Sequence, residues 1–283
     1  MIHRTADDYG MHPDINRGIA YCVEQRLIDG IAVSPCGPYL EDLPPLAAAY
    51  PHLRVGVHLM LVGGRPLTDG KWMLVKNGAF TADVFSLARG LARGAIRPSD
   101  VEREWDAQIR TLLDAGLRLT HLNSHQHVHL LPSLWPVATR LAQRYGIESI
   151  RTSYESLWGA AAKGSPALLV HQAIAAVRYR SLPPPKRERT LGMLCSTAFS
   201  ARAVVDRLVR EILAGRPVEV MTHPGFATPA AAEAFPSWHP HWEAEIVELK
   251  KLKHVIAALD QHSPGRRSAN ELSAECRRIA AGS

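Results

Sequence analysis

The sequence predicts an α/β fold, a parallel sheet closed or nearly closed into a TIM-barrel-like (β/α) barrel of about seven strands in a single domain. Short apolar runs of strand character alternate with segments of helical periodicity along most of the chain. Asp7, Asp8, His58, His125, Arg151 and His223 fall at or just past the C-terminal ends of those runs, where barrel active sites are assembled. The length, 283 residues, suits one barrel of about 250 residues with modest insertions. No internal repeat competes with this reading.

The chain begins with a short strand leading into Ala6-Asp7-Asp8-Tyr9-Gly10. Two carboxylates beside a glycine read, by themselves, as a turn before they read as a site. Residues 14–27 place Ile15, Ile19, Cys22 and Val23 at helical spacing, and Asp29-Gly30 closes that helix. Residues 31–34 form a second strand and residues 43–50 an alanine-rich helix. Residues 53–59 form a third strand, in which His58 is out of step with Val55, Val57 and Leu59. Alone, such a histidine reads as structural. Residues 62–98, with Gly63-Gly64, Pro66, Gly70 and a weak helix over 85–93, read as an excursion over one face. Pro98-Ser99-Asp100 starts a helix to about residue 115, with Val101, Trp105, Ile109 and Leu112 on one side.

Leu117-Arg118-Leu119-Thr120 then reads as a strand arriving at the densest polar cluster, His121-Leu122-Asn123-Ser124-His125-Gln126-His127-Val128-His129. In extended backbone, alternate residues share a face, which would aim His121, Asn123, His125, His127 and His129 one way. Neutral imidazole is the commonest side-chain metal ligand, and residues two apart can converge on one ion where a strand gives way to a loop. Five positions at ~3.3 Å per residue outrun one coordination sphere, so most of these side chains are expected beside the site or in packing.

Residues 134–145 follow as a helix and residues 148–151 as a strand ending on Arg151. An alanine-rich helical segment and a proline loop fill 154–189, the basic stretch from Arg178 to Arg189 reading as solvated surface. A short strand over 190–195, a helix over 201–213 and a strand over 217–222 come next, the last delivering His223-Pro224-Gly225. Residues 227–241, with three prolines, read as a loop and 243–259 as the last strong helix. The expected division is a barrel domain over 1–265 and a polar tail over 266–283, with the break at Ser263-Pro264-Gly265.

Composition excludes several classes. The net charge of +6, from 33 Lys and Arg against 27 Asp and Glu, is dispersed and is not a nucleic-acid footprint. Four cysteines lie far apart without a C-x-x-C pair, which points to a reducing compartment and away from a zinc ribbon or a disulfide scaffold. The chain reaches Arg4, Asp7 and Asp8 before any signal-peptide core, and no run approaches the ~18 apolar residues of a membrane span. A soluble, cytoplasmic protein is expected. No G-x-S-x-G elbow, P-loop or H-E-x-x-H motif is present.

Four motifs, taken in order, carry a family resemblance: Ala6-Asp7-Asp8-Tyr9-Gly10; Gly56-Val57-His58-Leu59 followed by Gly64-Arg65-Pro66-Leu67; Ser124-His125-Gln126-His127-Val128-His129; and His223-Pro224-Gly225-Phe226. As a set, spanning residues 1 to about 226, they resemble the YdjC/ChbG family of carbohydrate deacetylases. The resemblance implies a distorted (β/α) barrel, one divalent metal ion (Mg or Zn), and hydrolysis of the N-acetyl group of an amino sugar. It implies Asp8, His58 and His125 as metal ligands, Asp7 as general base and His223 as general acid. His127 and His129 would lie behind the ligands or face the substrate, and Arg151 would orient Asp7. Tyr9 stands where Phe is usual, which keeps the packing and adds a hydroxyl. Asn123 stands where the family commonly has Asp, which implies a looser hold on the metal, by about 10- to 100-fold.

The implied substrate is N-acetylglucosamine in a chitooligosaccharide-like chain or on a glycolipid, with Phe235, Trp238 and Trp242 available to stack on sugar rings. Residues 161–180, apolar with a basic end, would lie near a membrane if the sugar is lipid-borne; core packing is the plainer expectation. Nucleic acid is not an expected partner. Peripheral membrane contact and a homodimer are left open. The alternative function is a catalytically weakened metal- or sugar-binding barrel of the same fold.

Overall fold

The computed structural model describes residues 1–69, 75–80, 83–195, 199–260 and 269–282. In chain order the first part runs β1 (Ile2–Tyr9), α1 (Pro13–Glu24), β2 (Gly30–Val33), α2 (Leu43–Ala49), β3 (Arg54–Leu59), β4 (Val75–Lys76), β5 (Ala79–Phe80), α3 (Val84–Ala92), α4 (Pro98–Asp114) and β6 (Leu119–Ser124). After a 3-10 turn over His125–Leu130 come α5 (Trp135–Arg144), β7 (Ser149–Ile150), α6 (Leu157–Ala162), α7 (Pro166–Ser181), β8 (Arg189–Leu191), α8 (Ala201–Leu213), β9 (Val218–Thr222), α9 (Pro229–Ala234), α10 (His239–Asp260) and α11 (Ala269–Ala281).

Seven strands form one sheet in the order β7-β6-β3-β2-β1-β9-β8, the parallel order of the expected distorted (β/α) barrel class. The chain divides into two compact units, and the division falls inside β1. One comprises Met1–Ala6, Arg17–Asp29 and Thr152–Ser283; the other comprises Asp7–Asn16 and Gly30–Arg151.

In the unit made of Asp7–Asn16 and Gly30–Arg151, β3 pairs with β6 so that Gly56 lies opposite His121 and His58 opposite Asn123. A Cβ on Gly56 would come within 2.3 Å of the His121 ring, so only glycine lets that ring lie across β3. Val57, Leu59, Met60 and Leu122 are buried in this unit's core, and α4 covers it with Val101, Trp105, Ile109 and Leu112, the face its periodicity predicts. Buried Glu104 on the same helix accepts from the Leu67 and Thr68 N–H groups, each at 2.9 Å, and so fixes the loop that leaves β3. Within the excursion, β4 and β5 form a hairpin turning at Asn77-Gly78, both in left-handed backbone, the chemistry such two-residue turns need. Gly70 lies outside the described residues.

In the other unit β1 pairs with β9 from Ile2↔Val218 to Ala6↔Thr222, and β8 pairs with β9 from Arg189↔Val218 to Leu191↔Val220. The strand expected over 190–195 ends at Leu191, because Gly192 takes φ +100 and a 3-10 turn over Met193–Cys195 follows. The expected loop over 227–241 is largely helical. Thr228 caps α9 through the Ala231 N–H with Pro229 at its first position, and Pro240 sits in the first turn of α10. A proline in the first helical turn forfeits no hydrogen bond, so these residues start helices here. The polar C-terminal stretch forms α11, which buries Leu272, Cys276 and Ala280 and packs on α8 and α10. The expected break at Ser263-Pro264-Gly265 lies outside the described residues. Among the described residues no helix is long and apolar enough to cross a membrane.

Candidate metal centre

Parallel strands deliver their C-terminal ends to one side, and three such ends meet in the histidine-bearing unit. β1 supplies Asp7 and Asp8, β3 supplies His58, and β6 with the turn after it supplies Asn123 and His125. Consecutive residues of a regular strand point to opposite faces. Asp8 breaks that alternation with φ +70, a left-handed conformation that Asp tolerates better than most residues. Both carboxylates thereby reach the same cluster.

Asp8 Oδ1 lies 3.0 Å from His58 Nε2 and 3.1 Å from His125 Nδ1, and the two ring nitrogens are 3.4 Å apart. One carboxylate oxygen and two imidazole nitrogens within 4.8 Å of one another form a donor set that could hold a divalent ion. Burial by itself would raise the Asp8 pKa; the His125 and His58 imidazoles outweigh it and hold the carboxyl well below its ordinary value. Burial would likewise lower His58, but Asp7, Asp8 and the Asn123 hydrogen bond outweigh it and raise its pKa. The cluster attracts positive charge, whether a proton or a metal ion.

Behind the donors runs a buried polar chain. His58 Nδ1 donates to Asn123 Oδ1 at 2.7 Å, which leaves Nε2, the nitrogen facing Asp8, with its lone pair. Asn123 Nδ2 donates to Asp7 Oδ1 at 3.0 Å. Arg151 grips both oxygens of Asp7, Nη2 to Oδ1 at 2.9 Å and Nη1 to Oδ2, and both side chains are 1 % exposed. Asn123 therefore keeps a hydrogen-bond acceptor on His58 Nδ1, as a carboxylate at this position would. An amide is also the group that serves both neighbours, because a second carboxylate would confront Asp7.

The other histidines separate by environment. The strand ends at Ser124, and Gln126 and His127 take φ +51 and +56, so the face shared by alternate residues is lost after His125. His127 is half-buried in this turn. His129 is buried; its Nε2 donates to the Arg151 carbonyl at 2.7 Å and its Nδ1 accepts from Ser124 Oγ at 2.6 Å. It braces the backbone of the residue that holds Asp7. His121 is buried next to Thr120 Oγ1, 3.0 Å away. Tyr9 is buried, and burial, with Asp42 and Glu41, pushes its hydroxyl up to about 12.

His223 and Trp238 belong to the other unit. His223 follows β9; its backbone N–H donates to Glu245 Oε2 at 2.6 Å, and its Nδ1 lies 3.9 Å from Glu245 Oε1. Its ring lies 5.5 Å from that of Trp238, which is exposed. Trp242 is buried against Gly225, where an added Cβ would come within 3.0 Å of the indole, and Phe235 is half-buried beside it. Of the three aromatic residues expected to stack on sugars, Trp238 alone is exposed. Glu245 is a residue the sequence reading missed. Its signal was an acidic side chain sharing a helix face with Trp242, Ile246 and Leu249, all buried.

A family model described as YdjC-like protein matches residues 2–258. The chain belongs to the YdjC-like family. Curated proteins named carbohydrate deacetylase are similar to it: that of Geobacillus stearothermophilus is 36% identical over 151 residues, 53% of this chain and 59% of that protein. That of Halalkalibacterium halodurans is 33% identical over 54% of this chain and 63% of its own length. The chain thus spans about 60% of the length of these relatives. A further relative of the same name, from Listeria welshimeri, is 29% identical over 78% of this chain and 80% of its own. Among solved structures, a candidate cellobiose-phosphate cleavage protein of Enterococcus faecalis shares the fold, with a TM-score of 0.68, 21% identity, and coverage of 90% of this chain and 93% of that one.

Proposed function

We propose that this YdjC-like chain is a metal-dependent carbohydrate N-deacetylase, which hydrolyses the acetamide of an N-acetylated amino sugar and releases acetate. The observation that carries this reading is the convergence of Asp8, His58 and His125, with Asp7 held two contacts away through Asn123. The name of the curated relatives supports the reaction class.

In this proposal Asp8, His58 and His125 hold one divalent ion, Mg or Zn. When bound, such an ion polarises the acetyl carbonyl and lowers the pKa of a water it holds towards ~7. Asp7 accepts the proton of the attacking water, its carboxylate oriented by Arg151 and Asn123. The bond from the water oxygen to the acetyl carbon forms, the carbon–nitrogen bond breaks, and the departing nitrogen takes a proton from His223, which Glu245 positions. Trp238 offers an exposed ring for a sugar face. The substrates proposed are chitooligosaccharide-like or glycolipid-linked N-acetylglucosamine.

Acetate release from free N-acetylglucosamine, short chitooligomers and N-acetylated glycolipids tests the reading. Turnover is expected to vanish on chelation and return with added Mg or Zn, and to follow a bell-shaped pH profile. Unchanged turnover in metal-free protein would refute the ligand assignment. Sugar binding without acetate release from any of these substrates would move the chain to the class of binding barrels.

A further inference from the structure

α7 is oriented against the usual rule for a helix packed on its own protein. Its inward face carries Gln172, wholly buried, with Ala175 and Ala176. The Gln172 carboxamide accepts from the N–H groups of Glu155 and Ser156, at 2.8 and 3.0 Å, and donates to the Ser153 carbonyl at 2.8 Å. Hydrogen bonds and small alanines hold the inner face, Leu168 and Ile174 are half-buried, and Leu169, Val170 and Val177 turn outward. Leu169, Val170, Ala173 and Val177 recur at helical spacing on the exposed side, with Val170 60% and Val177 58% exposed. α6, packed against α7, adds Trp158, 88% exposed.

Charge accompanies this stripe. Between Glu155 and Glu188 the chain has no acidic residue and five basic ones, Lys163, Arg178, Arg180, Lys186 and Arg187. The two flanking acids are engaged, Glu155 with Arg207 and Glu188 with His3. Lys163 lies between the two helices, Arg180 continues the stripe by spacing, and both are exposed.

We propose that the α6–α7 surface docks on an anionic lipid bilayer, with Trp158, Leu169, Val170 and Val177 entering the headgroup boundary and Lys163, Arg180 and Lys186 meeting lipid phosphates. An apolar stripe with an interfacial tryptophan and a cationic border is the composition of helices that lie on membranes. Against a second copy of the chain, the same surface would set cations against cations. Each basic residue near an anionic surface contributes about fivefold in binding, from about 1 kcal/mol. The inference does not depend on the deacetylase reading.

Flotation of the full chain with vesicles of phosphatidylcholine alone, or mixed with phosphatidylglycerol, tests it. The protein is expected to float with the anionic vesicles, less so in high salt, and to remain behind with the zwitterionic ones. Lys163→Gln with Arg180→Gln is expected to weaken binding by about 25-fold, and Val170→Ser with Val177→Ser by at least about tenfold. Both pairs are exposed, so an unchanged Tm and unchanged acetate release from a water-soluble sugar would accompany the loss. Failure to float with anionic vesicles, or equal flotation of the variants, would overturn the proposal. A dimer in sedimentation that Val170→Ser with Val177→Ser dissolves, without vesicle binding, would assign the face to a second copy instead.

Discussion

Asn123 stands between two groups with opposite needs: His58 requires an acceptor for its Nδ1–H, and Asp7 requires a donor. A carboxylate meets the first need and opposes the second. Asn123→Asp is therefore expected to cost about 1–3 kcal/mol of stability at pH 7 in urea unfolding, with recovery on acidification as one carboxyl takes a proton. Arg151 is the other half of this balance. Arg151→Met would leave the Asp7 carboxylate buried without its cation, for a loss of about 3–5 kcal/mol in the same measurement. A third residue sets a pH dependence away from the cluster. Burial lowers the His171 pKa to about 4, whereas the unfolded chain takes up that proton near 6.5. The contribution of neutral His171 is fully present above about pH 6.5 and is lost as pH falls through 4, up to about 3 kcal/mol. His171→Phe should remove that part of the acid destabilisation; superimposable stability curves for the two proteins between pH 7 and 4 would contradict it.

Elements were legible wherever burial shaped the pattern. β3, β6 and β9 showed as apolar runs with polar ends, and α4 and α8 as single buried stripes. Asp8, His58 and His125 stand out as polar residues near strand ends, but by themselves the first reads as part of a turn and the second as structural; the set of four family motifs is what points to them as ligands. The rest was set by backbone conformation, which residue type signals weakly. Left-handed Gln126 and His127 ended the extended run that would have aligned five polar side chains, and prolines read as loop signals began α9 and α10. α7 is the alanine-rich helix expected in this stretch, but its facing is not legible in the pattern: Leu169, Val170 and Val177 turn outward while Gln172 turns inward with Ala175 and Ala176. One close approach between elements has a testable consequence. α1 meets the loop after β9 backbone to backbone, and a Cβ on Gly18 would lie 2.4 Å from Gly225 Cα. No side-chain rotation relieves such an overlap. Gly18→Ala, helpful in an ordinary helix by about 1 kcal/mol, is expected here to destabilise by about 1–3 kcal/mol, with a shift of the His223 amide and ring resonances.

At the scale of the molecule, the two compact units carry different parts of the proposed chemistry. Asp8, His58 and His125 all lie in the unit of Asp7–Asn16 and Gly30–Arg151, whereas His223, Glu245 and Trp238 lie in the unit that includes Thr152–Ser283. A ligand stabilises what it holds, by about 2.7 kcal/mol at a hundredfold excess over Kd, and amides that exchange by local opening report that stabilisation where it acts. Mg or Zn added to metal-free protein should therefore slow hydrogen exchange in the end of β1, in β3, in β6 and in the turn over His125–Leu130, with α8, α10 and α11 least affected. Asp8→Asn should abolish the effect while keeping the fold, because Asn accepts the left-handed conformation that Asp8 adopts. Slowing that is uniform across both units, or that persists in Asp8→Asn, would place the ion elsewhere and dissolve the ligand set on which the proposed hydrolysis rests.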